Sequence, residues 1–284
     1  MQCGQLHQSS HPIAAAIALT LHFSAGRNVR ADDPLLSTLE VKERLQSATG
    51  KAFLTVNRFG FETASLDSNW AIEAFQSSIQ PGSIMLDIGA GYGALSRAAL
   101  ERGASVISND LALDHLLWTR SQIAPKNWEH LCLNTARFPD LTIRTQSLTH
   151  ISAHRIFHFL SGPELQQGLQ NCFAWLQPGG MLMAVAMSAT HARFRDAFYP
   201  EYQKRQQEGV RWPGECLDVT THLQEQAYNL PPHLHVFTPE QLKEEVSKVG
   251  FRVERADYIS LARFGRDSDG RDGREAVGFV ARKP

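Results

Sequence analysis

The sequence predicts an α/β protein built on a mostly parallel sheet, and three observations carry that reading. An apolar run, Met85-Leu86-Asp87-Ile88, enters three closely spaced glycines, Gly89, Gly91 and Gly93, and then a helix-like segment. A second apolar run, Ala104 to Asp110, ends in an acid about 20 residues further on. A third, Met181 to Met187, follows a helical pattern and a Pro178-Gly179-Gly180 turn. Strands that alternate with helices at this spacing form βαβ units, because parallel neighbours need a crossover between them.

The loop after the first strand is the most informative segment. Glycines at 89, 91 and 93 can take positive φ and let the backbone approach a ligand that a Cβ would push away. A loop that cradles pyrophosphate reads G-x-G-x-x-G and aims a helix N-terminus at the phosphates. Here the spacing is G-x-G-x-G and Asp87 precedes it, which would repel phosphate and suits a cation. A nicotinamide dinucleotide is therefore disfavoured, whereas the ammonium and sulfonium of S-adenosylmethionine fit. Asp110 lies where a carboxylate reaches ribose hydroxyls across one βαβ unit.

Taken together, D-x-G-x-G-x-G, helix, strand and terminal Asp110 resemble the class I S-adenosylmethionine-dependent methyltransferases, from about residue 50 onward. The resemblance implies a Rossmann-like seven-stranded, mostly parallel sheet with an antiparallel last strand and N-terminal helices, and a cap insertion is expected where the chain departs from that bare core. It also implies S-adenosylmethionine as cofactor, with Asp87, Gly89, Ala90, Gly91, Tyr92, Gly93, Asp110 and Leu111 around it. The expected organisation is an N-terminal extension and helix over 1–50, then the methyltransferase domain over 51–284 with an insertion at about 188–232.

In chain order, Pro12 to Phe23 is apolar and of signal-peptide length, but no Lys or Arg precedes it and His22 interrupts its end. It is too short to span a bilayer, which takes about 20 apolar residues. A cytoplasmic protein with a packed or extended leader is the expectation. Ser37 to Ala48 and Asn69 to Ile79 read as amphipathic helices, and Phe53, Phe59 and Phe61 between them pack core or form a lid. Leu95 to Leu100 is the first crossover helix, with a stop at Gly103. Leu131-Cys132-Leu133 is the third strand. The loop Asn134 to Pro139 resembles the family's Asp-Ala-x-x-Leu-Pro, whose acid accepts a hydrogen bond from adenine; here Asn134, Thr135 and Ala136 stand there, and a neutral oxygen can still accept.

Thr142 to Ile151 is the expected fourth strand, and substrates bind beyond the carboxyl ends of such strands. His150-Ile151-Ser152-Ala153 replaces the Asn-Pro-Pro-Tyr type of segment used on flat amino groups, which counts against a DNA or glutamine amino-methylating enzyme. No acidic cluster of the kind a hard cation needs is visible, so no metal is expected. His150 and His154 are the candidate proton acceptors and His158 is structural. Positioning alone can also suffice for displacement at an activated methyl group.

Glu164 to Leu176 is helical, with apolar positions 165, 169, 173 and 176. Ser188 to Pro232 is an insertion that should cap the site, and Phe194, Phe198, Tyr199, Tyr202, Trp212 and Tyr228 within it either pack together or face an apolar acceptor. Thr238 is an N-cap before Pro239, with Gln241 at the capping-box position and a helix end at Gly250. Phe251 to Ile259 and Ala276 to Ala281 form the closing strands, joined by a turn in which Arg263, Arg266, Arg271 and Arg274 alternate with Asp267, Asp269 and Asp272.

With 28 basic and 29 acidic residues the net charge is −1, so no nucleic-acid partner is expected. Cys3, Cys132, Cys172 and Cys216 form no C-x-x-C pair and read as thiols of a reducing compartment. The expected activity is methyl transfer to a small-molecule oxygen, nitrogen or carbon nucleophile. A protein methyltransferase and a non-catalytic adenosyl-ligand-binding module are the alternatives.

Overall fold

Five of the seven main strands are largely buried. β3 is Ile84–Ile88, β4 Ser105–Asn109, β5 Leu131–Asn134, β6 Leu148–His154 and β7 Leu176–Met187. Every residue of β4 is buried, the mark of a parallel strand covered by helices on both sides. The computed structural model describes residues 53–55, 61–62, 68–216, 218–223, 231–261 and 272–284. A small antiparallel hairpin, β1 Phe53–Leu54 and β2 Phe61–Glu62, precedes this core. The expected helix over Ser37 to Ala48, the run Pro12 to Phe23, Cys3, Phe59, Tyr228, and Arg263, Arg266, Arg271, Asp267 and Asp269 of the closing turn lie outside the described residues.

The last two strands of the sheet are β10 Arg252–Ile259 and β11 Ala276–Arg282, and the order is β10-β11-β7-β6-β3-β4-β5. β7, β6, β3, β4 and β5 run parallel, while β11 is antiparallel to both β7 and β10. The sheet is therefore Rossmann-like with one reversed strand, as the resemblance implied.

Alternation along each strand sends side chains to two separate cores. Leu86, Ile88 and Ile107 pack with Leu165 and Leu169 of α4 (Gly162–Trp175) and Leu242 and Val246 of α8 (Pro239–Lys248). Met85 and Val106 pack on the other face with Ile72 and Phe75 of α1 (Trp70–Ser78) and Leu95 and Ala99 of α2 (Ala94–Glu101).

The structure moves several boundaries. β6 starts at Leu148 rather than Thr142, because Gln146 turns at φ 52° and the entry is pinned by Gln146 and Ser147 N–H groups donating to the carbonyls of Ala174 and Trp175, both at 2.9 Å. α4 starts two residues before Glu164, at Gly162, because Ser161 and Glu164 close a capping box. At α8 the box stays open: Thr238 caps Gln241 N–H at 3.4 Å, while the Gln241 side chain accepts from the Tyr202 hydroxyl at 3.2 Å. Helix α3, Leu113–Ser121, has no counterpart in the sequence reading.

Between β7 and α8 the insertion contributes α5 Ala192–Arg195, α6 Tyr199–Gln207, β8 Glu215–Cys216, α7 Thr220–Leu223 and β9 Leu234–His235. Phe194, Phe198 and Tyr202 are fully buried with Cys216, Val219, Leu234 and Val236, so the aromatic stripe makes the insertion's own core.

Candidate cofactor and methyl-transfer site

The chain lays down β3, β4 and β5 on one side, then returns to place β6 on the other flank of β3. That reversal opens the crevice at the carboxyl ends of the strands. The glycine loop turns there. Gly89, Gly91 and Gly93 have φ of 64°, 54° and 72°, the left-handed region that other residues adopt only with strain. Ala90 N–H donates to the Asn109 carbonyl at 2.8 Å and Gly93 N–H to that of Ala90 at 2.9 Å. A Cβ at Gly89 would lie 1.9 Å from Ile156 Cδ1, and one at Gly93 would lie 2.2 Å from Thr119 Cγ2. The loop is thus clasped between the segment after β6 and helix α3.

Asp87 lies beneath this loop and is only 2% exposed. The Ser152 hydroxyl of β6 donates to Oδ1 at 2.5 Å and that of Ser96 in α2 donates to Oδ2 at 2.6 Å. Burial pushes its carboxyl up to about 6 against the hydroxyl bonds, which lower it, and the negative charge of Asp110 adds to the rise. Both oxygens are therefore held by the protein, tying β3 to β6 and α2.

Asp110, at the end of β4, is also buried. Its Oδ2 accepts from Gly91 N–H at 2.9 Å, and its Oδ1 accepts from Ala112 N–H at 2.8 Å and lies 3.0 Å from His115 Nδ1. His115, on the first turn of α3, is 1% exposed, and its ring sits 4.6 Å from that of Tyr92 in the loop. The neighbouring Leu111 is 54% exposed, an apolar side chain left open beside the carboxylate. Sequence reasoning missed His115 and Thr119 because it assigned no helix after Asp110; a histidine five residues beyond the acid was the available signal.

The expected adenine loop differs in its detail. Asn134 is buried and its Oδ1 accepts from Ala136 N–H at 2.8 Å and from Asn109 Nδ2 at 3.3 Å. The Asn109 amide also donates to the carbonyls of Asn134 and Ala136, at 3.1 and 2.8 Å. The Asn134 side chain shapes the turn with the acceptor oxygen that was expected to read adenine. Thr135, beside it, is half-buried.

The two candidate bases part company. In the β3–β6 register His150 pairs with Met85 and Ser152 with Asp87, so His154 lies two residues beyond the level of Asp87, where the glycine loop begins. Four residues along a strand separate the two histidines by roughly 13 Å. His150 sits toward the opposite end of the sheet, with Nε2 3.0 Å from Ser78 Oγ, Nδ1 2.8 Å from Thr149 Oγ1 and its ring edge-on to Phe75. Burial holds its imidazole down at about 4. The catalytic expectation for His150 is corrected by this register: a strand keeps it away from the crevice. His154 ends β6 at the crevice, followed by Arg155 at φ 63° and Ile156 against Gly89. Burial holds His158 down at about 3, so it stays neutral within the packed turn that follows.

Residues 85–180 match the profile of a family described as "Methyltransferase domain". No curated protein matches the sequence significantly. Among solved structures, the chain is similar to an S-adenosylmethionine-dependent methyltransferase from Mesorhizobium loti, at 18% identity and TM-score 0.55, covering 75% of this chain and 96% of that one. It is similar to one from Methanosarcina mazei at 17% identity and TM-score 0.55, covering 77% and 99%. It is also similar to the 1,6-didemethyltoxoflavin-N1-methyltransferase of Burkholderia thailandensis, at 15% identity and TM-score 0.54, covering 91% and 96%. The sheet order and the glycine loop define a Rossmann-like cofactor fold. Residues 85–180, which carry that loop, match a methyltransferase domain, and the sheet order is that of the class I S-adenosylmethionine-dependent methyltransferase fold.

Among the described residues no group of three or more His, Cys, Asp or Glu side chains could hold a metal ion, and no helix is long and apolar enough to cross a membrane.

Proposed function

We propose that this chain transfers a methyl group from S-adenosylmethionine to a small-molecule nucleophile. The observation that carries the reading is the pair of buried carboxylates, Asp87 and Asp110, facing one glycine loop at the sheet's switch point. Two like charges in one buried site favour a cationic ligand, which relieves their repulsion. Asp110 would take a ribose hydroxyl, and Leu111, open to solvent beside it, would pack on the adenine face. Thr135 and Ala136 would meet the adenine edge. Asp87 acts through its charge, since its oxygens are held by Ser96 and Ser152.

S-adenosylmethionine, when bound, supplies a methyl carbon on a sulfonium that a nucleophile displaces in line. The chain's contribution is then to orient and to manage one proton. His154, at the end of β6, would accept a proton from an acceptor hydroxyl or amine. The insertion docks over the segment after β6: Trp212 covers Gly162, Gly162 N–H donates to Glu215 Oε1 at 3.2 Å, and His235 Nδ1 lies 3.2 Å from the Leu160 carbonyl. A packed layer in that place suits an enclosed metabolite better than an extended peptide. The Burkholderia protein, whose likeness runs through 91% of this chain, is described with a bound 1,6-didemethyltoxoflavin, a flat heterocycle.

Calorimetric titration with S-adenosylmethionine, S-adenosylhomocysteine and NAD tests the cofactor half. Micromolar binding of the adenosyl ligands and none of NAD is expected. Transfer of labelled methyl groups tests the acceptor half: label in a metabolite extract supports the reading, whereas label confined to protein would replace it with protein methylation.

A further inference from the structure

His115 belongs to no part of the catalytic reading so far, yet it is bound to the carboxylate at the centre of it. Its Nδ1 lies 3.0 Å from Asp110 Oδ1, and the carboxylate leaves only the histidine to donate in that contact. Its other nitrogen, Nε2, is buried with no hydrogen-bond partner. Such an orphan is costly and calls for an explanation. Placing a leucine there would remove the orphan and still fill the space against Tyr92, so packing does not explain the histidine.

Asp110 itself has three protein donors. Gly91 N–H holds Oδ2, while Ala112 N–H and His115 hold Oδ1. A carboxylate offers about four acceptor directions. With Oδ1 filled by two donors, the remaining direction is on Oδ2, the oxygen beside the glycine loop. His115 therefore decides which oxygen of Asp110 is free and where it points.

From this we infer that His115 is a positioning residue for cofactor recognition: it fixes the Asp110 carboxylate so that Oδ2 is presented to the ribose. The inference rests on the proposed binding of an adenosyl ligand at Asp110. His115 touches no reacting atom and acts only through Asp110.

A double-mutant cycle on the full chain, with S-adenosylhomocysteine as the titrant in calorimetry, tests this. Asp110→Ala should weaken binding by tenfold or more on the scale of a lost charge-assisted hydrogen bond, and His115→Leu by about tenfold. Asn places its amide near the position of Nδ1, so His115→Asn should restore most of the affinity, while His115→Gln, whose amide reaches further, should not. In the Asp110→Ala background His115→Leu should have no further effect. An equal loss in both backgrounds, or wild-type affinity in His115→Leu, would overturn the role of His115. If His115→Leu does not fold, the Asn and Gln variants decide: equal affinity overturns the inference. Wild-type affinity in Asp110→Ala would instead overturn the ribose reading on which the inference stands.

Discussion

The two flanks of β3 are built by different means. On the β4 and β5 side, the cofactor groups come from stretches a few residues long: the glycine loop, Asp110 with Leu111 and His115, and Asn134 to Ala136. Each is fixed by hydrogen bonds among the adjoining strand ends, such as Ala90 N–H to the Asn109 carbonyl and Ala136 N–H to the Asn134 side chain. On the β6 and β7 side, the insertion meets the segment after β6 across longer separations, as Gly162 meets Trp212 and Leu160 meets His235. The first flank is built by hydrogen bonds among the strand ends themselves. The second depends on how an insertion packs, which is where related folds are free to vary their substrates.

The contrast can be broken by experiment. Gly89→Val should have the largest effect, because it puts a branched side chain at φ 64° into Ile156. Loss of adenosyl-ligand binding by about a hundredfold or more is expected, on the order of 3 kcal/mol of strain. Gly89→Val with undiminished affinity would remove the loop from the site.

A His154→Gln change probes the other flank. Turnover at saturating cofactor should fall by about a hundredfold, the scale of one general base, with cofactor affinity unchanged. Equal turnover would mean that positioning alone suffices.

Asp87 sharpens the comparison through pH. Its folded carboxyl is raised to about 6 by burial, so the ligand-free protein gains stability from the protonated form; that gain is full below the ordinary carboxylate value of 3.8 and is lost as pH rises through 6. A bound cation favours the ionised form, so affinity for S-adenosylmethionine should rise about tenfold from pH 5 to pH 7 and then level off. Asp87→Asn should flatten that profile in calorimetry; a profile of unchanged slope would assign the proton to another group.

The smallest effect belongs to His150→Gln. Turnover within about twofold of wild type is expected, with a lowered melting temperature from the lost contacts to Ser78 and Thr149. A large fall in turnover at intact stability would return His150 to the catalytic machinery.

These differences also explain what was legible in the sequence. The sheet, its reversed strand and the positions of Asp87, Asp110 and the glycines could be read, because short spacings and hydrophobic runs encode them directly. His154 and His150 looked equivalent because Thr142 to Ile151 suggested an earlier strand; only the pairing of Ser152 with Asp87 sets the level of each histidine. Residue type suggested Asn134 as an adenine acceptor, while the bond its Oδ1 accepts from Ala136 N–H, two residues on, was not legible. The near-helical spacing of Phe194, Phe198 and Tyr202 was visible, while the direction they face depended on Val219, Leu234 and Val236 further along the chain.

The placement of β11 carries a consequence for biosynthesis. Residues 276–282 enter between β7 and β10, so β7 has an unpaired edge on that side until they arrive. A ribosome that has made the whole glycine loop and both carboxylates has still produced a sheet with an open flank, which invites pairing with other nascent chains. Any synthesis that stops before residue 276 therefore leaves a binding loop on a scaffold that cannot close.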